Sequence, residues 1–178
     1  MKKTLSTYYL YFVLYSIIGW IYETFLEVVV YRWGFSPREY LYGPYCPIYG
    51  FGALIFLFTV YPLIKGKPLP ERLKYIVLIF LGCMLIATAV ELFSSYLSEW
   101  VSGSWSWQSY TRYKYNFQGR IALSPSIRFG LGGCLFLYVL QPLFEKRAEK
   151  LGDKINLVSG RVFLLMAVDL VVTIITHI

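Results

Sequence analysis

Five stretches of this chain are apolar over nearly the length of a bilayer-spanning helix. Polar, basic or Gly/Pro-broken segments separate them. Crossing about 30 Å of hydrocarbon takes roughly 20 apolar residues in a helix. The stretches fall at about residues 8–31, 44–64, 75–98, 123–141 and 155–178. They predict an all-α, polytopic helical bundle of about five transmembrane helices, a single transmembrane domain over residues 1–178. An aromatic loop joins the third and fourth.

The polar residues inside these stretches are placed with a period. Ser16, Trp20, Glu23 and Glu27 follow i, i+4, i+7 and i+11, which is one face of a helix. Thr88, Glu91, Ser95 and Ser98 make a similar stripe on the third span, and Asp169, Thr173 and Thr176 on the fifth. Arg128 lies early in the fourth. Counted at about 1.5 Å per residue, Glu23, Glu91, Asp169 and Arg128 fall roughly 8–14 Å below one face of the membrane. A charge at such depth is costly, so these side chains are expected to face the bundle interior and pair or meet water. Glu27 lies close enough to the interface for its carboxylate to reach water. The expectation is a polar cavity in the outer part of the bundle, with an ion-pair layer that only holds the helices together as the plain alternative.

The second span opens on a broken segment, Gly43-Pro44-Tyr45-Cys46-Pro47. Its two prolines remove backbone donors. Irregular backbone at membrane depth is tolerated where protein buries it or where it lines a cavity. Tyr45 is placed by this segment at the level of the acids. Equally, a proline in a first turn is ordinary, and glycines there allow close helix packing.

Composition agrees with a membrane protein. Of 178 residues 57% are hydrophobic and only 15% charged, against about a quarter charged in soluble domains. The net charge of +7 points to anionic lipid and a positive inner face rather than to nucleic acid. Ten Lys and Arg lie in the amino end and the 65–74 and 142–154 loops, against five in the 32–42 and 99–122 loops. The amino end is therefore expected in the cytoplasm and the carboxyl end outside.

The 99–122 loop, EWVSGSWSWQSYTRYKYNFQGRIA, holds three Trp, three Tyr and a Phe. Aromatic residues favour the membrane interface, so the loop is read either as an anchor in the headgroups or as a lid. Cys83 and Cys134 sit in apolar runs, where cysteines pack as small hydrophobes. The only histidine, His177, is at the carboxyl end. There is no nucleophile motif, no metal-ligand spacing and no GxxxxGK[ST] nucleotide loop. No catalytic residue, metal or cofactor is expected.

Several of these strings together resemble a known family. GWIYET at 19–24, GPYCPIYGFGA at 43–53, Glu91 followed by Glu99, and Phe117-x-Gly119-Arg120-Ile121-x-Leu123-x-x-Ser126 are similar to the bacterial integral-membrane ABC-transporter type IV family, the CmpB-like permeases. The resemblance covers about residues 1–140. Asn116 stands one place earlier than the family's usual Asn, and Phe129-Gly130 stands where Trp-Gly is usual. The resemblance implies a multi-pass permease-type protein of the bacterial cytoplasmic membrane.

On these grounds the chain is expected to bind or move a small cationic or amine-bearing solute. The candidate binding residues are Glu23, Glu91, Arg120, Arg128, Asp169, Trp20, Tyr45, Glu27 and Asn116. Expected partners are the lipid bilayer, the solute, a separate ATPase chain at the basic inner loops and a second copy of the chain. The alternatives are an intramembrane enzyme acting on a lipid or lipid-linked substrate, with Arg120 and Arg128 holding a phosphate, and a non-transporting membrane scaffold.

Overall fold

The computed structural model describes residues 3–32, 34–35, 41–105 and 107–177. Arg38, counted above among the outer charges, and the His177 side chain lie outside the described set. The chain is 81% helical with almost no sheet, so the all-α expectation holds. It divides into two compact units, Met1–Leu54 with Phe144–Ile178, and Ile55–Leu143.

The first unit is built on α1 (Lys3–Phe25), which ends in a π-helical turn over Leu26–Val30, and on α7 (Ile155–His177). Ser6 donates to Asn156 at 2.7 Å, and the Tyr9 hydroxyl reaches the Met166 sulfur at 3.3 Å. These contacts advance together along both helices, so α1 and α7 run parallel. The first part of α2 (Pro47–Thr59) runs antiparallel to α1. Gly50 makes the close approach possible. A Cβ there would meet Ser16 Oγ at 2.4 Å and the Phe12 carbonyl oxygen at 2.6 Å, the small-residue packing typical of membrane helices.

The broken segment ahead of α2 leaves few donors unanswered. The Tyr45 N–H donates to the Gly43 carbonyl at 2.8 Å and the Cys46 N–H to the Ser16 carbonyl at 2.9 Å. Pro47 takes the first helical position, where a missing N–H costs nothing. The irregular backbone is thus paired with protein, as a low-dielectric setting requires.

The second unit holds the rest of α2, a 3₁₀ turn at Tyr61–Leu63, the short α3 (Leu69–Leu73), α4 (Ile76–Ser102) and α5 (Leu123–Leu135). Helices α4 and α5 are antiparallel. Thr88 donates to Ser126 at 2.8 Å near the top, and Cys134 approaches the Ile76 carbonyl near the bottom. Cys83 is fully buried and Cys134 half-buried, both free thiols.

Helix α5 passes into a second π-helical turn, Phe136–Leu140. A π turn releases carbonyls from the regular ladder. Here Arg72 takes two of them, Leu137 at 3.2 Å and Tyr138 at 3.4 Å, while the Tyr138 hydroxyl donates back to the Arg72 carbonyl at 2.7 Å. The guanidinium also lies 5.2 Å from the Tyr138 ring centre.

Between α4 and α5 the chain forms a 3₁₀ turn, Gln108–Arg112, and a hairpin of β1 (Asn116–Phe117) and β2 (Ile121–Ala122). Gln118 and Gly119 have φ of 54° and 65°. That pair of positive angles makes a tight turn that matches the twist of a hairpin.

Among the described residues, three helical stretches are long and apolar enough to cross a membrane: Lys3–Val30, Ile76–Ser102 and Leu123–Thr176. Five spans were expected. Pro47–Leu63 is apolar but shorter, because the broken segment delays its start. The last stretch has 54 residues, about 81 Å if straight. It contains both of the last two expected spans, with the polar α6 (Gln141–Leu151) between them and a break at Gly152, φ 52°.

Candidate functional site

Glu23, Glu91 and Asp169, the acids expected at membrane depth, each accept a tyrosine hydroxyl. In the first unit two of these tyrosines sit four residues apart where the chain enters α2. The Tyr49 hydroxyl donates to Glu23 on α1, and the Tyr45 hydroxyl to Asp169 on α7. Asp169 also accepts the N–H groups of Tyr42 and Gly43, each at 3.2 Å. One carboxylate therefore gathers two donors of the broken segment and one from the residue before it, and fixes the segment to α7. The Tyr42 hydroxyl adds a 3.0 Å bond to Thr176.

Glu23 and Asp169 are half-buried. Glu27 is buried within the π-helical turn that ends α1, where a side chain in contact with water was expected. This agrees with its place on the face shared by Ser16, Trp20 and Glu23. Trp20 is half-buried, its ring edge-on to Phe35 at 6.4 Å.

In the second unit Glu91 on α4 is only 8% exposed. The hydroxyl of Tyr110, from the 3₁₀ turn of the α4–α5 loop, donates to its Oε1 at 2.8 Å. Tyr113 follows three residues later and packs edge-to-face on Tyr110, centres 5.6 Å apart. Arg128 of α5 donates to the Tyr113 hydroxyl at 2.9 Å. Glu91, Tyr110, Tyr113 and Arg128 thus form one polar sequence that joins two helices through the loop between them.

Arg120 lies beside this sequence in the same unit and is buried at 7% exposure. Its guanidinium pairs with Glu99 and donates to Ser95 Oγ at 3.4 Å. The rings of Tyr96 and Trp105 lie 4.1 Å from its centre. Two strings singled out from the sequence, Glu99 and the Gly119-Arg120 pair, therefore meet in space. Further bonds hold the same segment: Trp107 donates to the Arg120 carbonyl at 2.8 Å, and Tyr96 to Gln118 at 2.7 Å.

Asn116 is exposed and works within the hairpin. Its amide donates to the Tyr113 carbonyl at 2.7 Å, and its oxygen accepts the Gly119 N–H at 2.9 Å. That makes it a turn residue that sets the height of Tyr113 and Arg120.

The candidates thus fall into two groups. Glu23, Glu27, Trp20, Tyr45 and Asp169 belong to the first unit, and Glu91, Arg120, Arg128 and Asn116 to the second. Sequence reasoning missed the partners Tyr49, Tyr110 and Tyr113. The spacing of Tyr45 and Tyr49 by one helical turn was the only available sign for Tyr49. Tyr110 and Tyr113 are two of many aromatics in their loop, and nothing in the pattern separates them.

A family profile described as "Putative ABC-transporter type IV" matches residues 10–174. The match runs through α7, beyond the strings that first suggested it. No curated protein and no solved structure matches the chain.

Proposed function

This chain belongs to the ABC-transporter type IV family of membrane proteins, and on that premise we propose that it is a permease-type subunit binding a small cationic or amine-bearing solute at Glu91. The solute would sit beneath the loop that carries Tyr110 and Tyr113. The observation that carries this reading is the Tyr110–Glu91 bond. Glu91 is buried on an apolar helix, and its Oε1 accepts the hydroxyl of a loop residue. A solute N–H⁺ offers the same oxygen a stronger, charge-assisted bond, so it can displace the hydroxyl as the loop lifts. The faces of Tyr110 and Tyr113 would add cation–π contact, worth about 0.5–2 kcal/mol.

The same proposal includes five crossings, with the amino end in the cytoplasm of a bacterium. The parallel course of α1 and α7 supports it, since parallel first and last spans require an odd number of crossings. The basic segments of the 65–74 loop and α6 would then face the cytoplasm, where an ATPase chain can contact them. A second copy of the chain would complete the transporter.

Thermal unfolding in detergent, with choline, putrescine and methylammonium as probes, tests the solute assignment. At a hundredfold excess over Kd a bound ligand stabilises by about 2.7 kcal/mol. At least one probe should raise the Tm of the wild type by several degrees and leave Glu91→Gln unmoved. A shift that persists in Glu91→Gln would overturn the assignment to Glu91.

A further inference from the structure

We infer that Arg161, with Lys154, holds the phosphate of an anionic phospholipid at the membrane face where α7 begins. This inference rests on α7 crossing the membrane and is independent of the solute reading. Arg161 lies six residues into α7, after Ile155. Its surroundings on the exposed surface are apolar: Leu157, Phe163, Leu164 and Leu165 are 57%, 61%, 64% and 71% exposed. Arg161 is itself exposed. Among the described residues it takes part in no ion pair, hydrogen bond or ring contact.

That combination is unusual for an arginine. Arg120, Arg72 and Arg128 in this chain are each engaged by carbonyls, carboxylates, hydroxyls or rings. Arg161 alone among the described arginines of the apolar helices projects from a lipid-length segment with nothing from its own chain to meet it. A guanidinium cannot shed its proton there, so it needs an anion or water from outside the chain.

Geometry indicates where the anion comes from. Side chains of an α-helix lean toward its N-terminus, so Arg161 reaches back toward the start of α7. Lys154 stands seven residues earlier, two turns and about 10 Å along the axis, on the same side. It is exposed and likewise has no partner among the described residues. Snorkelling of Arg161 toward the interface closes most of that gap and leaves two donors around one position at headgroup depth. Among the described residues, Lys3 pairs at 3.7 Å with Asp153, which stands beside Lys154 in sequence, both exposed. Lys3 answers Asp153, so Lys154 and Arg161 are left as unanswered positive charges. The planar fork of Arg161 suits two phosphate oxygens, and Lys154 adds a point charge. A zwitterionic lipid would bring its own cation to the same patch and be held less well.

Native mass spectrometry of the full chain in detergent, with phosphatidylglycerol or phosphatidylcholine added, tests this. The wild type should retain phosphatidylglycerol preferentially. Arg161→Gln and Lys154→Gln should each lower that preference about fivefold, the effect of one basic residue at a charged surface. Arg161→Lys should recover part of it. Circular dichroism should show unchanged helicity in all three, because the changed side chains are exposed. An undiminished preference in Arg161→Gln would overturn the assignment. So would equal retention of the two lipids by the wild type, or loss of a dimer in Arg161→Gln with lipid retention unchanged, which would make Arg161 a contact between copies.

Discussion

The Tyr49 hydroxyl at the start of α2 donates to the Glu23 carboxylate on α1. One turn earlier the Tyr45 hydroxyl donates to Asp169 on α7. The irregular return of the chain is thus held from two sides by acids of α1 and α7. Glu23→Gln and Tyr49→Phe should each destabilise the protein by about 1 kcal/mol, the scale of a hydrogen bond between membrane helices. The double variant should lose less than the sum, because both changes remove one bond. Reversible unfolding in mixed micelles reads this directly, and strict additivity would show that the two residues act apart.

Asp169 should be a clamp. Asp169→Asn keeps an acceptor for the Tyr42 and Gly43 N–H groups and should fold normally. Asp169→Ala leaves both N–H groups and the Tyr45 hydroxyl without it. The neighbouring Cys46, buried at 8% exposure, should then react with maleimide at least about tenfold faster, the equivalent of roughly 1.4 kcal/mol. Peptide mapping separates its label from those of Cys83 and Cys134. An unchanged Cys46 rate in Asp169→Ala would contradict the clamp.

Arg120 should tolerate no substitution by lysine. Its worth lies in a planar guanidinium stacked between Tyr96 and Trp105 while it pairs with Glu99. A lysine keeps the charge and loses the stacking and the fork. Arg120→Lys should lower stability by about 1–2 kcal/mol and shift Trp105 fluorescence to the red. Glu99→Gln, whose carboxylate is partly in water, should cost less.

The helices of this protein were legible because hydropathy reports length directly. The expected stretches at 75–98, 123–141 and 155–178 begin and end within a few residues of α4, α5 with its π turn, and α7. Glu23, Glu91 and Asp169 stood out as costly at their depth, and each proved to be engaged. What the pattern does not carry is the identity of the partner. A hydroxyl on a loop such as that of Tyr110 has no period to betray it. The roles of Asn116 and Arg120 depend on a two-residue turn with positive φ, which brings distant positions together.

Arg72 ties the π-helical turn after α5 to α3. Arg72→Lys should free the Leu137 and Tyr138 carbonyls. Hydrogen exchange across Phe136–Gln141 should then accelerate while the middle of α4 stays protected. Equal protection in variant and wild type would show that the π turn holds without the clasp.

The solute assignment meets its most direct test at Glu91 itself. A hydrophobic carbodiimide modifies membrane carboxylates, and mass spectrometry maps the adducts to Glu23, Glu91 and Asp169 separately. Whichever of choline, putrescine or methylammonium raises the Tm should protect Glu91 in a saturable way and leave the other two acids labelled as before. Tyr110→Phe should strengthen that protection, since the competing hydroxyl is gone. Labelling of Glu91 that no cation slows, in the wild type or in Tyr110→Phe, would contradict a cation site there.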